Sequence, residues 1–109
     1  MWRAFFFVSC LLLGACGEDS KPEARAAQEV EVSRGKRVYM AYCTACHNMD
    51  PSKDGPLGPA IKGSSQALLE AKILRGNYPP GYKPKRDTAV MPAQPALKPS
   101  IPDLAALLR

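Results

Sequence analysis

Cys43-Thr44-Ala45-Cys46-His47 is the stretch that decides this chain. It has the C-x-x-C-H order of a c-type haem attachment site. The chemistry requires that order. Two thiols must reach the two vinyl groups of one porphyrin and form thioethers with them. The imidazole that follows directly is then held at the iron as its proximal ligand. Two other readings compete. A thioredoxin-type dithiol sits at a strand-to-helix junction of a βαβ unit, and no strand pattern precedes Cys43. A closed zinc site takes four Cys or His ligands. Apart from Cys10 and Cys16 near the amino terminus, the chain offers only Cys43, Cys46 and His47.

Upstream of the motif, Ser33 is suited to cap a helix running through Tyr42 into Cys43. Val38, Tyr39 and Tyr42 share one of its faces, and Gly35 lies one turn before them. Glycine is costly inside a helix; here it predicts close contact with a second helix. Downstream, residues 48–63 are punctuated by Pro51, Gly55, Pro56, Gly58, Pro59 and Gly63 and read as loop. Ser64 or Ser65 caps a second helix with Gln66–Arg75 as its body and Gly76 as its stop. Leu69 and Ile73 face the core, with Leu68 or Leu74 alongside. Residues 77–99 are proline-rich without a period of 2 or 3.6 and read as an extended stretch that covers one face of a cofactor. Ser100-Ile101-Pro102-Asp103 matches the S-x-x-[DE] capping pattern before a terminal helix, Leu104 to Arg109, with Leu104, Leu107 and Leu108 apolar. With no strand and no repeat, the expected class is all-α: about three helices and long loops around one covalent haem.

A domain covering residues 33–109 is small for an independent core, and a buried porphyrin supplies apolar volume. His47 is the only histidine, so two histidines cannot ligate one iron within the chain. Methionine is the leading sixth ligand, and Met/His ligation raises the potential. Met40 and Met49 lie too near His47 in sequence to cross a porphyrin easily. Met91, far downstream after the extended stretch, has the reach.

On these residues the chain resembles class I c-type cytochromes from Ser33 to Arg109. Gly35-Lys36-Arg37-Val38-Tyr39 looks like the family's first helix, with Gly35 at its helix crossing. Leu57-Gly58-Pro59-Ala60-Ile61-Lys62-Gly63 resembles the G-P-x-L-x-G segment, with Ile for Leu, and Met91-Pro92 resembles the pair around the axial methionine. The resemblance implies that the Pro59 carbonyl accepts a hydrogen bond from His47 and fixes the imidazole. The family's last helix usually runs a turn further and carries an aromatic residue. Here Leu107 and Leu108 substitute, which implies weaker packing between the first and last helices.

The amino-terminal stretch is read separately. Met1-Trp2-Arg3 is positive, and the apolar or small run from Ala4 to Ala15 has signal-peptide length, too short to span a bilayer. Leu13-Gly14-Ala15-Cys16 resembles the lipobox of bacterial lipoproteins, which implies a chain that begins with an acylated Cys16 and is anchored by several acyl chains. Gly17 resembles the default signal for the outer membrane. Residues 1–15 are then a leader, 16–32 a tether with part of it as frayed helix, and 33–109 the haem domain. The formal charge of +5 comes without a basic helix or stripe, so nucleic acid is not an expected partner. Acidic redox proteins and anionic head groups fit better, with Lys53, Lys62 and the Lys83-Lys85-Arg86 cluster as steering charges. The expected function is single-electron transfer in the periplasm. A haem-bearing subunit of a dehydrogenase or oxidase is the alternative, and a five-coordinate peroxidase or sensor is a lesser one.

Overall fold

The computed structural model describes residues 21–109; the leader, Cys16 and the first part of the tether lie outside them. Three α-helices form the frame: α1 (Pro22–Tyr42), α2 (Gln66–Leu69) and α3 (Ile101–Leu108). A π-helical turn, Glu70–Leu74, continues α2, and a 3-10 turn, Pro95–Ser100, leads into α3. No strand occurs among the described residues, and no helix there is long and apolar enough to cross a membrane. The architecture is the all-α one expected.

Helix α1 starts much earlier than Ser33. Pro22 occupies the first turn, where its missing N–H costs nothing. The run Glu23-Ala24-Arg25-Ala26-Ala27-Gln28-Glu29 is built of strong helix formers. Ser33 is therefore interior, and its hydroxyl accepts from Arg37 one turn on (3.3 Å) rather than capping an end. Residues 21–30 are all exposed, so this extension rests on propensity and not on packing. Of the predicted apolar face, Tyr39 is buried and Val38 partly so, whereas Tyr42 is 57% exposed. The helix ends there, and Tyr42 points away from the core.

The core is one cluster: Tyr39, Leu69, Ile73, Leu97, Ile101, Leu104, Ala105 and Leu108. Ser65 caps α2 by accepting from the Leu68 N–H (3.1 Å). The π-helical turn stops at Gly76 (φ 68°), whose N–H reaches the Lys72 carbonyl while that of Asn77 reaches Ala71.

The first and last helices cross at Gly35. A Cβ there would collide with the backbone carbonyl of Asp103 and lie 3.2 Å from Leu107 Cβ. This contact lets α1 press onto Leu104 and Leu108, each 1% exposed. One turn of sequence signalling is reassigned. Ser100 makes no side-chain cap, because its backbone is already helical (φ −92°, ψ −6°). Asp103 instead accepts two hydrogen bonds from Arg34 on α1, at 3.0 and 2.9 Å. This fork pairing holds the Asp103 carboxyl below the usual carboxylate range.

Two predictions follow from the crossing. Gly35→Ala improves helix propensity by about 1 kcal/mol, yet forced overlap with backbone costs about 1–3 kcal/mol and cannot be relieved by a rotamer change. Chemical denaturation is expected to show a net loss; equal or greater stability would mean that the helices can separate freely. Asp103→Asn removes a group whose folded pKa is depressed. Its contribution is present above the ordinary carboxylate value of about 4 and lost as pH falls through the lowered folded value. The gap in Tm between parent and variant, a few degrees at neutral pH, is expected to close as the solution is acidified. A gap independent of pH would show that the charge on Asp103 is not what ties α3 to α1.

Candidate haem site

The α1 C-terminus delivers the attachment motif. Cys43 caps α1, its N–H bonded to the Tyr39 carbonyl (2.9 Å). The chain makes one further turn, with Cys46 N–H and His47 N–H both on the Cys43 carbonyl (3.2 and 2.9 Å). That turn aims both sulfurs and the imidazole into one cavity, which holds about 1050 Å³ of empty space with its open mouth included. Burial, and then the neighbouring Cys46, push the Cys43 thiol up to about 11. Both cysteines are free thiols. Among the described residues no three His, Cys, Asp or Glu side chains converge as metal ligands.

His47 is 8% exposed and is the buried polar residue of the core region. Its Nδ1 lies 2.9 Å from the Pro59 carbonyl oxygen. A carbonyl can only accept, so Nδ1 carries the proton and Nε2 keeps its lone pair. Nε2 takes no hydrogen bond from the chain and faces the cavity. The ring lies against Gly58, where a Cβ would stand 2.5 Å from Nδ1. The loop that brings Pro59 there is itself pinned. Leu57 and Gly58 N–H groups bond to the Cys46 carbonyl (3.2 and 2.9 Å), Gly55 N–H bonds to the Gly58 carbonyl (2.9 Å), and the Asp54 carboxylate accepts from Ala60 N–H (2.8 Å). The Tyr39 hydroxyl donates to the Asn48 carbonyl (2.5 Å), which ties the core of α1 to the start of the same loop.

Met91 lines this cavity and packs against the core. Met40 and Met49 do not line it and are 41% and 69% exposed. The structure therefore gathers Cys43, Cys46, His47, Pro59 and Met91 around one space; Cys16 lies outside the described residues. It also brings in groups that sequence reasoning missed. Tyr78 and Tyr82 stack at 5.3 Å on the cavity wall, and Lys72 Nζ sits 4.4 Å from the Tyr78 ring centre. Tyr78 and Tyr82 are four residues apart, but in a proline-rich stretch with no sustained period that spacing marks no helix face. Lys53 is exposed and lies 4.0 Å from Asp50.

An apolar cavity with two free thiols, a tautomer-fixed imidazole and a thioether fits covalent haem. The cytochrome c family model matches residues 32–109. The chain belongs to the cytochrome c family. Such a cytochrome c carries one covalent haem c and passes electrons between redox partner proteins. No curated protein and no solved structure matches the chain.

Gly58→Ala is expected to displace the His47 ring, because the new methyl group would occupy the same space. The cost is about 1–3 kcal/mol in the unfolding of the haem-loaded protein, with a changed visible spectrum. A variant with the parent's midpoint and spectrum would show that the ring tolerates the crowding.

Proposed function

We propose that this cytochrome c is a periplasmic monohaem electron carrier anchored to a bacterial membrane, the outer membrane favoured, through acyl chains on Cys16. Cys43 and Cys46 would hold the haem by thioethers, His47 Nε2 and the Met91 sulfur would ligate its iron, and Pro59 orients the imidazole. One observation carries the haem part of the reading: His47 keeps its Nε2 lone pair open to the same cavity that Cys43, Cys46 and Met91 line.

When bound, haem c supplies a one-electron change at iron. The chain supplies the conditions for it. The Pro59 carbonyl holds the proton on Nδ1, which fixes the ring plane and raises the basicity of Nε2. The buried side chains Tyr39, Leu69, Ile73, Leu104 and Leu108 keep water from the cavity floor. Ligation by the Met91 thioether and the His47 imidazole would favour the reduced iron and raise the potential. Iron held by both side chains would offer no open position to a substrate, which suits a carrier. Lys62, Lys83 and Lys85 are exposed and present positive charge to acidic partners.

Met91→Ala is expected to abolish the Met–iron charge-transfer absorption and to lower the reduction potential. An unchanged spectrum would refute the ligand assignment. For the anchor, Cys16→Ser expressed in a host that processes lipoproteins is expected to move the protein from the membrane fraction to the soluble periplasmic one. Retention on the membrane would exclude lipid at Cys16.

A further inference from the structure

We infer that Lys85 and Arg86 form a two-point clasp that holds the Met91-bearing segment against the loop that fixes His47. The inference rests on the reading of Met91 as an axial ligand and assigns both cations as positioning residues for it.

The segment from Tyr78 to Ala93 has little to keep it in place. Residues 83–90 are exposed except for the half-buried Arg86, so burial offsets little of the cost of ordering them, about 1–2 kcal/mol per residue for the backbone. At its ends the stretch is tied to the π-helical turn by Asn77 N–H to the Ala71 carbonyl (3.1 Å) and Gln94 N–H to the Ile73 carbonyl (2.5 Å). Between those ties its one backbone hydrogen bond, Tyr82 N–H to the Pro79 carbonyl, is internal. Two side-chain hydrogen bonds cross from it to the opposite wall. Lys85 Nζ donates to the Ala60 carbonyl (2.6 Å) and Arg86 Nη2 to the Gly55 carbonyl (3.3 Å).

Their receiving points are well placed. Ala60 follows Pro59, so adjacent carbonyls accept from Lys85 and from His47 Nδ1. Asp54 joins the arrangement, since its carboxylate holds the Ala60 N–H at 2.8 Å and lies 3.9 Å from Arg86 Nη2. The clasp thus references the Met91 side of the cavity to the shelf that already positions the imidazole. A carbonyl acceptor leaves the formal charge of Lys85 uncancelled, so Lys85 also keeps positive potential at the cavity rim.

The test uses the full haem-loaded protein. Lys85→Met and Arg86→Met keep much of the aliphatic stem and remove the donors, while Lys85→Arg keeps a donor. Urea titrations follow the Met–iron charge-transfer absorption and the helical circular dichroism separately. Each donor removed is expected to raise the equilibrium constant for Met91 release about five- to tenfold, the size of one charged hydrogen bond at a partly exposed site. The absorption midpoint falls while the circular-dichroism midpoint stays, and Lys85→Arg restores it. Carbon monoxide association with the reduced protein, gated by Met91 release, is expected to accelerate by the same factor. If the two midpoints move together, or if neither moves, the clasp is overturned. Met91→Ala run alongside separates the two ideas. If that variant keeps the absorption, the ligand reading fails and the clasp with it. If it loses the absorption while the Lys85 and Arg86 variants match the parent, the clasp alone fails.

Discussion

The hydrogen bond from His47 Nδ1 to the Pro59 carbonyl constrains the chain on both of its sides. For it to form, a loop must fold back over the attachment turn and lay its backbone against a buried ring. Gly55 and Gly58 permit this. A Cβ on Gly58 would meet the imidazole, and one on Gly55 would meet the backbone of Cys46 and His47. Neither has a positive φ, unlike Gly63, Gly76 and Gly81. Gly55 and Gly58 are therefore glycine for space and not for backbone freedom. Hydrogen bonds from Leu57 and Gly58 to the Cys46 carbonyl then close the loop onto the motif it serves. The proximal side is thus assembled almost entirely from neighbours in sequence.

The helices serve a second requirement. Tyr39, Leu69, Ile73, Leu104 and Leu108 belong to the hydrophobic core and also line the cavity. Core and site share side chains, so the floor of the site is as rigid as the packing beneath it. The shared set also means that the polypeptide alone leaves one face of its core open. A domain of this size has little apolar area to spare, and the cofactor completes what the side chains leave unfilled. The crossing of α1 and α3 at Gly35 bears directly on this, because it seats Leu104 and Leu108 under the attachment turn. Arg34 and Asp103 fasten the same crossing from outside.

What was legible in the sequence was what depends on short spacing. The attachment motif, a cap at Ser64 or Ser65, the Gly76 stop and the glycine at the helix crossing all rest on local pattern, and Pro59 opposite His47 rests on the family resemblance. The misreadings arose where a distant partner or unopposed propensity decided the outcome. Ser100 and Asp103 have capping spacing, but Arg34 offers Asp103 two charged hydrogen bonds from another helix, which outweigh one cap bond. Ser33 resembles a helix start, yet Pro22 and the Ala/Glu/Gln run before Ser33 favour helix without any tertiary contact. The π-helical turn has no sequence signature of its own. The Tyr78–Tyr82 stack and the contacts of Lys85 and Arg86 depend on how the proline-rich stretch crosses the cavity, which no periodicity encodes.

These two kinds of construction give the cavity unequal walls. On the His47 side, backbone hydrogen bonds span short stretches of chain and close small loops, so little entropy is lost in forming them. On the Met91 side, ordering is supplied by partners 25 and 31 residues away, through long side chains at an exposed rim. Few buried contacts and exposed hydrogen bonds are the marks of low local stability. Of the cavity's walls, the Met91 segment therefore has the lower local stability. Such an arrangement leaves the cavity adjustable from one side. Changes among residues 83–90 can alter how firmly Met91 is held without disturbing the core on which the cofactor rests.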